Sequence, residues 1–413
     1  MTNSKRTIRR AALALGLLPL AACSLDVTNP GPINDSALHT PQAVPPIVAG
    51  ANYNMSRMMN TSLEVVSLVS GELSHSGSYP NEGLYARGIL RPEDVDGIWG
   101  SVHRARWTAE DATAKLRDLL GDDYGSSSDA ARANLYAGIG NRTSGELLCE
   151  AVIDGGAPQA RTVHFERADT FFARAASIAA ASGDDDVVAA AHGGRAAVLA
   201  WLGKWDQAVQ EAALVPTNFV YTAAFSDAHS DTQNDLWYET HSRAEYTVAN
   251  TLFADAHGDP RTPWDTIYAG SGKPAVGPNG TVVLRQKKYD DGSASVPVVQ
   301  GTEARLIQAE AALRSGNVAG AMTFINQARA AYGLAALAAP ANADEAWITL
   351  ERERGATTWL QARRLWDLSR WMEAKRPMDP RLVHFLVPTD GSGARALCVP
   401  IGRDEANSNP NIP

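Results

Sequence analysis

Two stretches of this chain, 113 residues apart, spell the same helical hairpin. In the first, Val187, Ala190, Ala191, Gly194, Val198 and Trp201 recur at spacings of three and four. Gly203 interrupts, and Trp205, Ala208, Val209 and Ala212 resume the pattern until Pro216. In the second, Leu306, Ala309 and Leu313 lead to Gly316, after which Val318, Ala321, Phe324, Ile325 and Ala328 follow. Superimposing Gly203 on Gly316 aligns Trp205 with Val318, Ala208 with Ala321 and Ala196 with Ala309. This spacing gathers apolar side chains on one helix face, and the glycine ends one helix and reverses the chain.

Alanine where two helices cross lets their backbones approach closely. A shared register of small residues around a glycine turn is the tetratricopeptide pattern, here degenerate. A further helix is expected over Phe165 to Ala179, broken by Gly183-Asp184-Asp185-Asp186, where the acidic run reads as a polar helix start because EF-hand spacing is absent. Ile98 to Leu120 and Asn134 to Ile153 read as helices that complete the stack. The predicted fold is mainly α: a tetratricopeptide-type helical scaffold (about 98–216 and 301–375) with long irregular loops and a few short strands.

The loops are expected at about 71–97 and 217–300, rich in Gly, Pro, Asp and Asn, with a strand-like run at Thr281 to Leu284. Insertions of this length in a compact domain are usually functional or disordered. They also hold Tyr79, Tyr85, Trp237, Tyr238, Tyr246, Trp264, Tyr268 and Tyr289, which read as exposed-type aromatics, and both features point to a binding surface built from loops on a helical scaffold. Sugar rings stack their C–H faces on aromatic rings while amides and charged groups take the hydroxyls. The candidate ligand-binding residues are therefore Tyr79, Asn81, Tyr85, Trp237 and Trp264. Trp99, Trp107, Trp201, Trp205, Trp359, Trp366 and Trp371 fall on helical patterns and are expected in the core.

The first 22 residues read as an address. Lys5-Arg6 and Arg9-Arg10 precede 12 apolar residues, Ala11 to Ala22, too few to span a bilayer. Leu20-Ala21-Ala22-Cys23 matches a bacterial lipobox, so Cys23 is expected to become the acylated first residue, with palmitate as an expected chain, and several acyl chains hold a protein at a membrane. Ser24 to Pro32 reads as linker, and 23–413 as one domain. The leader carries four positive and no negative charges, so the net charge of -9 becomes -13 without it, which argues against nucleic acid as a partner. Cys149 and Cys398 can pair in an oxidising compartment, but nothing in the sequence brings them together, and a buried free thiol is the plainer reading of Cys149.

No catalytic or metal-ligating motif stands out: there is no His-Glu-x-x-His, Cys-x-x-Cys or Gly-x-Ser-x-Gly, and Gly270-Ser271-Gly272-Lys273 has Pro274 where a phosphate loop needs Ser or Thr. Arg363 and Asp367, four apart on a late helix, are expected to pair as a structural feature. No cofactor, metal or catalytic residue is assigned.

Shorter motifs spread along the chain resemble the SusD/RagB family of outer-membrane nutrient-binding lipoproteins. Cys23 is followed by Leu25-Asp26-Val27-Thr28-Asn29-Pro30, and Gly258-Asp259-Pro260-Arg261 resembles the family's Asp-x-Arg turn. Lys288-Tyr289 precedes Arg305-Leu306-Ile307-Gln308-Ala309-Glu310-Ala311, and Glu351-Arg352-Glu353-Arg354 precedes Arg364-Leu365-Trp366-Asp367-Leu368. Val399-Pro400-Ile401 and Asn409-Pro410-Asn411 resemble the family's terminus. Ala362 departs from a usual glycine, Gln361 from a common glutamate and Gly402 from a proline. The chain is also short for the family, with the shortfall expected in the loops. The resemblance implies a non-enzymatic protein, anchored through Cys23 on the outer face of the outer membrane, that binds a glycan or a peptide and delivers it to a SusC-like TonB-dependent transporter. The repeat helices near Trp201, Trp205 and Phe324 would then be structural and transporter-facing. The competing expectation is a tetratricopeptide scaffold lipoprotein for protein–protein assembly in the envelope, with its repeats free and its loop aromatics buried.

Overall fold

The computed structural model describes residues 38–389 and 393–413; the leader, Cys23 and the linker lie outside these residues. The helices run α1 Val44–Val69, α2 Pro80–Ala86, α3 Asp96–Leu120, α4 Ser128–Leu147, α5 Thr162–Ser182, α6 Asp185–Trp201, α7 Trp205–Ala213 and the single turn α8 Asp235–Trp237. After the second insertion come α9 Gly301–Arg314, α10 Val318–Ala330, α11 Ala343–Thr357, α12 Arg364–Glu373, α13 Pro380–Leu386 and α14 Arg403–Ser408. The strands are β1 Ser74–His75, β2 Glu150–Ala151, β3 Gln159–Ala160, β4 Val220–Ala223, β5 Tyr246–Thr247, β6 Trp264–Thr266, β7 Leu284–Gln286 and β8 Val296–Gln300, paired only in antiparallel twos: β1–β5, β2–β3, β4–β8 and β6–β7.

The fold is mainly α, as expected, with the helices in a tetratricopeptide-like array. Helices α1, α3, α4, α5, α6 and α7 pack in succession, and α9 then packs on α7 although a long insertion separates them in sequence. Gly203 and Gly316 both adopt positive φ, 75° and 77°, so the aligned glycines make the same left-handed turn. Ala196, Ala208, Ala309 and Ala321 are fully buried, as close helix crossing requires. Phe172 of α5 reaches between its neighbours because Gly138 and Gly194 have no side chain: a Cβ there would lie 2.6 and 2.5 Å from its ring.

The polar centre joins both halves of the array. Buried Arg354 on α11 binds Glu303 of α9 at 2.8 Å and also Asp367 of α12. Arg370 binds Asp367 at 2.7 Å and Glu310 at 2.6 Å, and its guanidinium lies 4.3 Å from the Trp201 ring centre. The expected Arg363–Asp367 pair does not form. The helix begins only at Arg364, and Arg363, just before it, turns to Glu146 and Glu303 at 2.9 and 2.8 Å.

The scattered sequence motifs meet in space. Arg261 binds Asp259 and Glu353 at 2.7 and 2.6 Å, and the Tyr289 hydroxyl donates to the Leu360 carbonyl at 2.6 Å. The terminal Asn409 and Asn411 amides donate to the carbonyls of Gly156 and Gly155.

Three further expectations fail. The helix expected to reach Ile153 ends at Leu147, because Leu148 turns extended and bridges Val399 in parallel. The next residue, Cys149, is not a free thiol: it is bonded to Cys398, with the Cα atoms 5.0 Å apart. Trp107 is also not in the core; it lies on the outer side of α3 and is 53% exposed.

Candidate functional site

The two inserted segments form one layer. His75 pairs opposite Tyr246, the Ser76 amide donates to the Glu245 carbonyl at 2.8 Å, and Asn279 donates to the His75 carbonyl at 3.0 Å. This layer is fastened along α1. Tyr53, Arg57, Asn60 and Glu64 are spaced three and four apart and share one face of that helix. Opposite them runs a short helical stretch, α8 and the π-helical turn Tyr238–Ser242 that follows. Asn60 holds it by donating to the Gln233 carbonyl at 2.7 Å and accepting from the Asp235 amide at 3.2 Å.

Charged groups link the seam end to end. Arg57 lies 3.4 Å from the Asp235 carboxylate and donates to the Asp231 carbonyl at 3.3 Å. Glu239, one turn beyond Asp235, lies 3.5 Å from Arg243, whose guanidinium sits 4.7 Å from the centre of the Tyr79 ring.

Two cavities open at the Tyr53 end and share Tyr53, Arg57 and Asp231. One, of about 260 Å³, is lined also by Asn52, Ser56, Phe225 and Thr232. The other, of about 570 Å³, is lined also by Asn54, Thr61, Ser101 and Arg104. Tyr53 stands between them, 44% exposed. A flat ring beside a guanidinium, amides and hydroxyls is the chemistry that binds a sugar: apolar stacking with hydrogen-bond donors and acceptors at its edge. A separate cavity of about 330 Å³ lies beside α11 and α13, but its charges face one another: Arg364–Glu351 at 3.0 Å, Arg352–Asp379 at 2.8 Å and Arg381–Asp255 at 2.6 Å.

Burial pushes the Glu64 carboxyl up to about 8, and the nearby negative charges of Asp235, Glu239 and Glu82 act in the same direction against Arg57. Burial likewise raises Asp235, with Arg57 opposing it. At neutral pH Glu64 is therefore largely protonated, able to donate as well as accept.

Of the sequence candidates, Tyr79 and Asn81 lie at the far end of the seam, Tyr79 capping α2 and Asn81 exposed on it. Trp237 is half-buried near the middle, between Gly292 and a stacked His241 ring. Trp264 sits apart on the β6–β7 hairpin, its indole N–H donating to the Phe253 carbonyl at 3.2 Å and its ring edge-on to His257. Tyr85 is buried, with its hydroxyl donating to the Asp94 carbonyl at 2.5 Å, so its ring offers no face to a ligand. Tyr246 and Tyr289, also read as exposed, are core residues, because these insertions pack onto the array instead of standing away from it. Tyr53 and Arg57 were missed. Their only sequence signal is an aromatic and a cation one turn apart, and what marks them is the chain 174–178 residues later laid across them.

An array of paired helices with a layer of inserted loops, and a half-open polar seam where the two meet, defines a helical-repeat fold with a candidate binding seam. Residues 275–385 match the family model of the SusD family. The fold agrees over far more of the chain. A SusD superfamily protein from Bacteroides vulgatus aligns with a TM-score of 0.65 at 13% identity, covering 90% of this chain and 97% of that one. The surface glycan-binding protein A from Bacteroides thetaiotaomicron aligns with a TM-score of 0.65 at 12% identity, over 90% and 97%. A chitin-binding protein gives a TM-score of 0.62 at 14% identity, over 89% and 93%. No curated protein sequence matches the chain. Residues 275–385 thus carry the SusD family's sequence pattern, and the fold of the chain is SusD-like.

Proposed function

We propose that this protein is a surface lipoprotein that binds a glycan along the α1 seam and hands it to a SusC-like TonB-dependent transporter. The observation that carries this reading is the exposed Tyr53 ring between two cavities that share Arg57 and Asp231. The solved structures of like fold named as glycan-binding and chitin-binding proteins support it. Among the described residues no helix is long and apolar enough to cross a membrane, and attachment is assigned to acylated Cys23. The role is binding and delivery, with no chemical step, and Tyr79 and Asn81 extend the ligand surface beyond Tyr53.

The transporter contact is placed on the repeats, where Trp205, Val209, Gln308 and Phe324 line an open groove between the hairpins. A pure assembly scaffold gains from the burial of Tyr85, Tyr246 and Tyr289. It loses from the direct packing of α6 and α9 against the insertion strand β8, which leaves the repeats partly covered.

The test is calorimetric titration with a panel of oligosaccharides, with Tyr53→Ala as the control. Binding of one glycan class, weakened at least about tenfold by Tyr53→Ala, is expected for a stacking residue. Binding that Tyr53→Ala leaves unchanged refutes the seam, and affinity for oligopeptides alone replaces the ligand class. Recovery of the protein from its own membrane without a barrel partner counts against delivery.

A further inference from the structure

The layer built from the two insertions contains a cluster that glycan binding does not use. His75 lies on β1, Glu82 on α2, and Glu245 directly before β5. One ligand atom from each lies within 4.8 Å of the other two. These residues are 7 and 163 positions apart, so no spacing in the sequence advertises them.

Their placement is over-determined. The β1–β5 register sets His75 opposite Tyr246 and so beside Glu245. The imidazole packs with Nδ1 over Gly83, 3.5 Å from where a Cβ would stand. Glu245 is 3% exposed and held by Ser78, whose amide donates to Oε2 at 2.7 Å and whose hydroxyl donates to Oε1 at 3.3 Å. It fits only because residue 77 is glycine: a Cβ there would fall 1.6 Å from Glu245 Oε2. Arg243, 3.8 Å from Glu245 Oε1, is the neighbouring cation.

Against this ordered backdrop, His75 Nε2 and Glu82 Oε2 are both buried and have no hydrogen-bond partner. Glu82 is otherwise engaged by the Tyr246 side chain. Buried polar atoms are seldom left unpaired, and two residues that each keep an orphaned atom beside a fixed carboxylate call for a shared partner. One imidazole and two carboxylates, with no thiolate, form a nitrogen–oxygen donor set suited to zinc or manganese more than to magnesium or calcium. Metal–ligand bonds of about 2.0–2.2 Å bring such donors to about 3–4 Å from one another, so these donors, within 4.8 Å of one another, need only draw closer around an ion. Three protein ligands leave a position for water.

We propose that His75, Glu82 and Glu245 bind one divalent transition-metal ion, zinc or manganese, which staples the segment carrying Tyr79 to β5. The ion is structural in this assignment, and its binding does not depend on the glycan reading.

The test uses the full protein stripped with EDTA and titrated separately with Zn²⁺, Mn²⁺ and Ca²⁺, with metal content and melting temperature as readouts. One equivalent of Zn²⁺ or Mn²⁺ is expected, with a raised melting temperature and affinity above that for Ca²⁺. His75→Ala and Glu82→Gln should each weaken binding at least about tenfold, since loss of even an outer-shell partner of a metal ligand costs about 10–100-fold. Gly77→Ala, which displaces Glu245 without removing a donor, should weaken it too. Each variant is melted in EDTA beside the stripped wild type, so that a misfolded variant is recognised and replaced in the comparison by the other two. Failure of stripped wild type to take up a full equivalent overturns the proposal, as does binding unchanged in both His75→Ala and Glu82→Gln. Preference for Ca²⁺ overturns the transition-metal assignment.

Discussion

Cys149 and Cys398 are 249 residues apart in sequence and covalently joined, at the point where the Cys149 amide donates to the Val399 carbonyl at 2.9 Å and the Val399 amide to the Leu147 carbonyl at 2.7 Å. The bridge ties the end of α4 to the C-terminal segment and encloses most of the repeat array. Closing a loop of this length restricts the unfolded chain strongly, so Cys149→Ala/Cys398→Ala is expected to lose about 3–5 kcal/mol. Urea unfolding under non-reducing conditions measures it. The folded circular-dichroism spectrum should be unchanged, because the backbone bonds on either side remain.

The buried charge network predicts an asymmetric mutational response. Arg354 compensates Glu303 and Asp367 together, both inside the core. Arg354→Met fills much of the space but leaves Asp367 with Arg370 alone and Glu303 with Arg363 alone. Removing one partner of a buried ion pair typically costs about 3–5 kcal/mol, and this position is expected to lie in that range. Arg381→Met removes an exposed pair with Asp255 and a 3.4 Å contact with Asp379, which Arg352 still holds at 2.8 Å, and should cost less than about 1 kcal/mol in the same assay.

Acid should unfold the protein through the same network. Burial alone would raise the Glu303 carboxyl, but the guanidiniums of Arg363, Arg354 and Arg142 hold it down at about 2. Burial also opposes ionisation of Glu310, yet Arg370, with Arg314 and Arg354, brings it to about 2. A depressed folded value stabilises above the unfolded carboxylate value of about 4.3 and is lost as pH falls from there towards 2. The urea midpoint should therefore drop steeply across that window. Glu310→Gln should lower stability at neutral pH and flatten the acid slope; an unchanged slope would refute the assignment.

The repeats were legible because their requirement is local. Gly203 and Gly316 must turn with positive φ, and alanines three and four residues away must pass a neighbouring helix. The family motifs were legible for a related reason: Arg261, Tyr289, Glu310, Arg354 and Asp367 carry buried bonds that admit few other side chains. The glycine usual at the position of Ala362 has a cause too, since its φ of 57° is where glycine is at ease and alanine is strained; nothing in the structure explains the alanine. The seam was not legible. Helix α1 is buried on several sides, with Met55, Met58, Met59 and Leu63 among its core residues, so its polar face does not stand out as a period. Tyr53 acquires meaning only when Asp231 and Asp235 arrive beside Arg57. The disulfide has the same origin, because the parallel bridge that aligns Cys149 with Cys398 has no local signature.

Glu64 gives the seam a pH signature opposite in sign to that of the core. Its folded value of about 8, raised first by burial and then by Asp235, Glu239 and Glu82, exceeds the unfolded value of about 4.3. Between these two values the folded state keeps a proton that the unfolded state has released, so this residue's contribution to stability falls as pH rises. The loss is complete above about 8. Wild type should therefore lose stability relative to Glu64→Gln across pH 5 to 8, with the two curves running parallel above that range. Paired urea titrations at several pH values measure the difference. A constant offset between the two proteins over the whole range would mean that Glu64 is ionised in the folded state and that the seam presents a carboxylate, not a carboxylic acid.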